Sequence, residues 1–191
     1  HTIRFGFGLA ADSPTGIASE FFRDKVAELS DGKMKVRLYP NGALGPDEQL
    51  IKSLISGSGE VTYVSTAPLT AYVKELGVYD LPFLFDNYEV ADTVLDGPEG
   101  KKLLDALDDT GLVGLAYWEN GYRNLTNSKH AIKKASDLND IKLRVMQNEV
   151  AIAVFNKLGA NAIPMQFTEL FTAMETKTVD GQENPLSTIQ T

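Results

Sequence analysis

Ile3-Arg4-Phe5-Gly6-Phe7-Gly8, followed by Pro14 through Leu29 and then Val36-Arg37-Leu38, is the stretch that decides the fold. Ile3, Phe5 and Phe7 alternate with Arg4, Gly6 and Gly8, a period of two that predicts a half-buried strand. A short loop, Ala10 to Ser13, comes next. Pro14 suits the first turn of a helix, and Ile17, Phe21, Val26 and Leu29 recur at helical spacing until Gly32 stops the run. Val36 and Leu38 give a second strand, so the chain opens as strand, loop, helix, strand. That order is the unit of a parallel α/β sheet.

Working outward, Pro40-Asn41-Gly42 reads as a turn, and Pro46 opens a helix with Leu50, Ile51, Leu54 and Ile55 on one face. Val61 to Ser65 is a third expected strand, running into Thr66, Ala67 and Pro68. Helices follow after Asn87 and from Pro98, the latter with Leu103, Leu104 and Leu107 inward, and Leu112 to Trp118 is another apolar strand. Glu119-Asn120-Gly121 breaks the pattern. Beyond it come strands at Tyr122 to Thr126 and Ile141 to Val145, a helix around Val150 to Leu158, Ile163, and a helix from Phe167 to Glu175. This order places a lobe boundary at Gly121, with one α/β lobe over 1–121 and a second, incomplete one over 122–191. Gly181 to Leu186 then enters a segment with no visible ending, so the chain reads as stopping mid-fold. In such alternating folds ligands sit beyond the carboxyl ends of the strands.

With 191 residues and 43% hydrophobic content the chain can bury a real core. A net charge of −8 repels a polyphosphate backbone or an anionic lipid surface, which argues against nucleic acid as a partner. The charge is uneven: residues 1–121 carry 10 Lys+Arg against 19 Asp+Glu, net −9, whereas residues 122–191 carry 8 against 7, net +1. The second segment is the one expected to hold an anion. The absence of cysteine excludes disulfides and thiolate chemistry. No apolar run approaches the roughly 18 residues a membrane span needs, so direct membrane insertion is not expected. No secretory leader precedes the first strand, which fits either a removed leader or none.

The residues offer little for catalysis. Apart from His1 there is one histidine, His130, in the polar turn Asn127-Ser128-Lys129-His130, and it reads as a solvated loop residue. Ser30-Asp31-Gly32-Lys33 fits a Ser-x-x-Lys pattern, but its companion motifs are missing and these are ordinary turn residues. Gly6 and Gly8 lack the third glycine of a dinucleotide loop. Neither a His-x-x-His spacing nor an alternating carboxylate loop is present, so no metal and no cofactor is expected. Asp105, Asp108 and Asp109 read as a solvated face. Asp180 and Glu183 leave a glycosidase pair open in principle.

Four stretches stand out by their order and spacing: Gly121-Tyr122-Arg123-Asn124-Leu125-Thr126-Asn127-Ser128, Asp137-Leu138 with Lys142-Leu143-Arg144-Val145, Asn161-Ala162-Ile163-Pro164-Met165, and Val179-Asp180-Gly181-Gln182-Glu183-Asn184-Pro185. With Leu38-Tyr39-Pro40, Leu44-Gly45 and Asp80-Leu81-Pro82-Phe83, they resemble the DctP-type substrate-binding proteins of tripartite ATP-independent periplasmic (TRAP) transporters. The resemblance implies a bilobed periplasmic-binding-protein-like clamshell, two α/β lobes with mostly parallel sheets closing over an organic acid. It also implies a periplasmic protein that docks on membrane transporter subunits and does no chemistry. The chain lacks the family's C-terminal portion, which would ordinarily complete both lobes and the hinge helix.

The resemblance carries roles residue by residue. Arg144 matches the arginine that pairs with the substrate carboxylate, a role its parallel N–H donors suit, and the flanking Leu143 and Val145 place it on a strand reaching the sheet edge. Arg123 matches a second arginine that reaches the ligand or serves an interlobe ion pair. Asn184 matches an asparagine whose amide can donate and accept, with a helix cap before Pro185 as its structural role. Phe167 matches an aromatic position against the ligand's carbon skeleton, and is equally a core residue. Gln147, Ser65 and Thr66 complete the expected set. Ser65 and Thr66 stand where sialic-acid binders carry an acidic residue, which argues against sialic acid. The expected ligand is a small carboxylate, with C4-dicarboxylates ranked ahead of uronates and other sugar acids. The residues alone leave open an enzyme of hydrolase or glycosidase type and the ligand-binding domain of a sensor.

Overall fold

The alternation of Ile3, Phe5 and Phe7 becomes strand β1 (Thr2–Gly6) and its continuation, with the three side chains 9%, 2% and 1% exposed. The computed structural model describes residues 1–190. β1 lies between β2 (Lys35–Tyr39) and β3 (Val61–Thr62), parallel to both, with Phe5 opposite Leu38 on one side and Val61 on the other. The third strand is shorter than the expected Val61 to Ser65, because the backbone turns into the short helix α3 (Thr66–Leu69). Full burial of such phenylalanines is worth about 1.5–3 kcal/mol each.

Helix α1 (Pro14–Leu29) starts at Ser13, whose side chain accepts from the Gly16 N–H at 3.1 Å. Its inward face differs from the expected stripe. Ile17, Phe21 and Leu29 are 60%, 66% and 82% exposed, while Thr15, Gly16 and Ser19 are buried and Phe22 and Val26 join the β1 core. Gly16 explains the phase: a Cβ there would meet the Ala11 carbonyl oxygen at 2.1 Å, so the helix turns its smallest residues toward its own approach loop. Phe22 then stacks edge-on to Phe5 at 5.5 Å. Ser30 ends the helix by holding Met34 N–H, which accounts for the Ser-x-x-Lys match.

Helix α2 (Asp47–Ile55) buries Leu50 and Ile51 as expected. A 3-10 segment at Lys74–Asp80, α4 (Tyr88–Leu95) and α5 (Pro98–Asp105) follow. Leu112 to Trp118 is not a strand: it has no ladder among the described residues, and Val113 and Leu115 are 75% and 70% exposed. Leu112 nevertheless enters the core with Ile51, Leu76 and Leu107, and Trp118 packs on Phe5 and Tyr63.

The second sheet has the order β4-β7-β5-β6, formed by β4 (Arg123–Asn127), β5 (Lys142–Val145), β6 (Asn161–Pro164) and β7 (Gly181–Pro185). β5 runs parallel to β6 and β7, and β4 is antiparallel to β7. Both sheets are therefore parallel-dominated, as read from the sequence. Helix α6 (Glu149–Lys157), capped by Asn148, and α7 (Phe167–Glu175) cover this sheet. β7 is buried at all five positions although its sequence is polar. Gly181 is required there, because a Cβ would lie 2.2 Å from the Thr126 carbonyl oxygen. The chain then enters α8 (Leu186–Ile189), and Thr191 lies outside the described residues.

Candidate functional site

The parallel strands of the two sheets end around one cavity. Gly8 and Leu9 follow β1, Tyr63 to Ser65 follow β3, Met146 and Gln147 follow β5, Met165 to Phe167 follow β6, and Asn184 closes β7. Arg123 opens the antiparallel β4 at the same end, and Asp47 starts α2 there. The cavity thus brings together Arg144, Arg123, Asn184, Phe167, Gln147 and Ser65, six of the seven residues singled out in the sequence. Thr66, the first residue of α3, lies outside that wall.

Arg144 sits on β5, an interior strand rather than a sheet edge, and is 3% exposed. Its Nε donates to the Met165 carbonyl oxygen at 2.9 Å, which fixes the plane of the guanidinium. Its terminal nitrogens have no hydrogen-bond partner and it forms no ion pair among the described residues. Burial, and next the like charge of Arg123, lower its pKa to about 10, with Glu183 and Asp47 acting in the opposite sense. A buried charge without a counter-ion is costly unless something anionic completes it.

Arg123 is in the opposite condition. It forms a short charge-assisted pair through Nε to Glu183 Oε2, while Nη2 reaches Glu183 Oε1 at 3.1 Å, the Glu183 carbonyl oxygen at 2.7 Å and Asn184 Oδ1 at 3.1 Å. The ion pair lies within the second sheet. Asn184 Nδ2 donates to Gln182 Oε1 at 2.6 Å, and Gln182 Nε2 donates to Thr126 Oγ1 at 2.8 Å. This chain explains a polar strand buried throughout. Asn184 is not a helix cap, since Pro185 holds that position before α8.

Glu183 has a partner that the sequence did not reveal. With Asp180 it suggested a carboxylate pair, but the structure commits each elsewhere. Asp180 accepts from Lys142 N–H at 3.0 Å and faces Lys129 at 3.3 Å; the backbone bond, more than the lysine, holds its pKa low. Neither carboxylate is left free to act in a glycosidase dyad with the other. His130 is exposed, with Nε2 2.8 Å from the Asp137 carbonyl oxygen, and is remote from the cavity lining. Among the described residues no group of His, Cys, Asp or Glu could hold a metal ion.

Phe167 lines the cavity while packing on Leu170, Ala173 and Val179. α7 opens at Gln166–Phe167 with no side-chain cap, so its N-terminal dipole adds positive potential at the cavity wall. Two hydrogen bonds join the sheets across the cavity: Gln147 Nε2 to Glu48 Oε1 at 2.9 Å, and Ser65 Oγ to Met146 Sδ at 3.4 Å. Behind them, Asp80 Oδ2 and Asn148 Nδ2 are both buried outside hydrogen-bond geometry. Sequence reading missed Asp47 altogether. Burial pushes its carboxyl up to about 6, while the Ser65 backbone N–H and the Arg144 charge favour ionisation.

The chain is similar to known proteins over nearly all of its length. A solute-binding protein of Verminephrobacter eiseniae is 41% identical over 188 residues, covering 98% of this chain and 56% of the relative. The crystal structure of the sugar acid binding protein of Advenella mimigardefordensis in complex with galactonate is 73% identical, with a TM-score of 0.98, and covers 100% of this chain and 62% of that one. A TRAP periplasmic solute-binding protein of Sulfurospirillum deleyianum with bound succinate is 34% identical, with a TM-score of 0.95, over 98% of this chain and 61% of that one. The chain therefore spans somewhat more than half the length of the proteins it matches. The family described as bacterial extracellular solute-binding protein, family 7, matches residues 5–191. With that model matching nearly the whole chain, the chain belongs to this DctP family of solute-binding proteins.

Proposed function

We propose that the protein captures a small organic acid whose carboxylate docks on Arg144, and delivers it to the membrane subunits of a TRAP transporter from the periplasm. The family is one of transporter substrate-binding proteins and not of enzymes. The observation that carries the reading is the guanidinium of Arg144, 3% exposed, oriented by Met165 and without an ion pair among the described residues. Its two free terminal nitrogens supply parallel donors that fit a carboxylate bidentately. Galactonate and succinate, held by the two relatives above, each offer that carboxylate.

In this reading residues 1–121 form one lobe and the second begins at Tyr122. Lobe closure is driven by ligand contacts that only the closed state completes, so the ligand shifts the equilibrium by its differential affinity. Arg144, Asn184 and Phe167 contribute from the second lobe, and Ser65 with Asp47 from the first. A thermal-shift and calorimetric screen of organic acids on the full chain tests this. Organic acids should stabilise it while neutral sugars and nucleotides do not, and Arg144→Ala should abolish the response. Stabilisation by neutral sugars with every carboxylate inert would overturn it.

A further inference from the structure

We propose that Asn120-Gly121 is a site of spontaneous modification, at which Asn120 loses its side-chain amide in the folded protein and becomes an acidic residue that turns organic acids away from the cavity. The effect on binding rests on the carboxylate-capture reading above, whereas the modification itself stands apart from it.

The chemistry needs only water. The Gly121 backbone nitrogen gives its proton to solvent and attacks the Asn120 side-chain carbonyl carbon; a carbon–nitrogen bond forms, the side-chain amide leaves as ammonia, and a cyclic imide results. Water opens the imide at either carbonyl, leaving aspartate or, with one more methylene in the backbone, isoaspartate. The step demands a reachable side-chain amide, an unengaged backbone nitrogen and a following residue with no side chain to obstruct the attack.

The chain holds two Asn-Gly pairs, and the structure treats them oppositely. At Asn41-Gly42 both residues lie in the left-handed region, at φ 56° and 65°, and the Gly42 N–H donates to the Phe7 carbonyl oxygen at 3.0 Å. That nitrogen is engaged in a tight turn. Gly121 has φ 119°, a conformation that favours glycine, and neither its N–H nor the Asn120 side chain makes a hydrogen bond among the described residues. The pair lies in irregular backbone just ahead of β4, so no ladder holds it. Asn127-Ser128 is restrained as Asn41-Gly42 is: the Ser128 N–H donates to the Asp180 carbonyl oxygen at 2.9 Å, and the Asn127 side chain bonds Lys129 and His130.

Asn120 is half-buried on the cavity wall, which it shares with Arg123, Arg144 and Asp47. Arg123 is committed to Glu183, and Arg144 already feels the opposite charges of Glu183 and Asp47 as well as the like charge of Arg123. A further fixed carboxylate on this wall repels an entering organic acid and competes with it for Arg144, and both effects are strong where little water screens them.

The test is ageing of the full chain at pH 8.5 and 37 °C, followed by peptide mass mapping and by calorimetry with galactonate and succinate as probes. Conversion at Asn120 should outpace conversion at Asn41 at least tenfold in the folded protein, and the two rates should converge in urea, where only the shared Asn-Gly sequence remains. The converted fraction should bind at least tenfold more weakly whichever probe the fresh protein binds better, and Asn120→Asp should reproduce the loss. Asn120→Gln, whose longer side chain must close a larger and slower ring, should hold its initial affinity throughout the incubation. Equal conversion at the two asparagines in the folded protein, or an Asn120 that stays intact, overturns the site. Conversion without loss of affinity overturns its effect on capture. Fresh wild type that binds neither acid overturns carboxylate capture and the effect on binding with it, while mass mapping still decides the modification.

Discussion

Arg123 and Glu183 form a guanidinium–carboxylate pair across the β4–β7 ladder, and this pairing leaves Arg144 as the cavity arginine with no ion pair among the described residues. In the sequence Arg144 reads as the carboxylate partner, and Arg123 as a second ligand arginine or an ion-pair residue. The structure separates them into one that is spent on the scaffold and one that is held ready, because Glu183, on the strand β7 between those of both arginines, turns its carboxylate to Arg123.

Removing the ready charge should therefore act on binding more than on folding. Arg144→Ala is expected to weaken carboxylate binding by about 3–5 kcal/mol, the cost of leaving a desolvated carboxylate unpaired. Arg144→Lys should restore part of this, since a point charge cannot reproduce two parallel donors. The ligand-free stability of Arg144→Ala, measured by urea unfolding, should fall much less, because the lost bond to Met165 is offset by relief of a buried charge. A collapse in ligand-free stability would show Arg144 to be structural.

Glu183→Gln should do the reverse. It leaves Arg123 unpaired on a strand of a buried network, and breaking a buried pair costs about 3–5 kcal/mol. Arg123 keeps 23% side-chain exposure, so solvent screening reduces the expected loss to about 1–3 kcal/mol. The exposed Lys101–Asp105 pair is the control, and Asp105→Asn should change stability by less than about 0.5 kcal/mol. A shift in the urea midpoint at constant m-value reads both.

Much of the fold was legible because it rests on periodicity. The alternation at Ile3, Phe5 and Phe7 and the helix at Phe167 to Glu175 follow from local pattern and reappear in the structure. The α1 stripe was misread because Gly16 and Ser19, small residues that pattern counting ignores, set which face approaches the core. Leu112 to Trp118 has strand composition but no partner strand among the described residues, and a ladder cannot be inferred from one strand alone. The site residues of the second sheet came from their resemblance to a family. Asp47 was invisible to both routes, because an acidic residue in a helix's first turn has an ordinary explanation in the helix dipole.

Acid should stabilise the ligand-free protein. Asp47 and Asp80 are both raised from 3.8 to about 6, chiefly by burial. Between those values the folded state binds more protons than the unfolded one, so stability is fully gained below 3.8 and lost as pH rises through about 6. Asp24, Glu60 and Asp180, whose pKa values are lowered, act in the other direction only at more acidic pH. The melting temperature should therefore rise from pH 8 to pH 5 and be flatter in Asp47→Asn and Asp80→Asn. A wild-type profile that falls over this range would contradict the environments assigned to both carboxyls.

Closure should draw Asp80 and Asn148 together. Each presents a buried polar atom with no partner, Asp80 Oδ2 and Asn148 Nδ2, although the Asn148 amide is near enough to favour the charged carboxylate. An unmade buried hydrogen bond costs about 1–3 kcal/mol, so a small rotation of one sheet against the other that completes it would be favoured by the ligand-bound state. Asn148 also caps α6 by accepting from Ala151 N–H at 2.7 Å, so its single replacement confounds cap and contact. A double-mutant cycle with Asp80→Ala and Asn148→Ala removes that ambiguity, since cap loss cancels in the coupling energy. The coupling should be larger with a bound organic acid than without it. Solution scattering should show contraction on binding while circular dichroism stays constant, as rigid bodies moving about a hinge require. Equal coupling in both states, together with unchanged scattering, would mean that the cavity receives its ligand without closing.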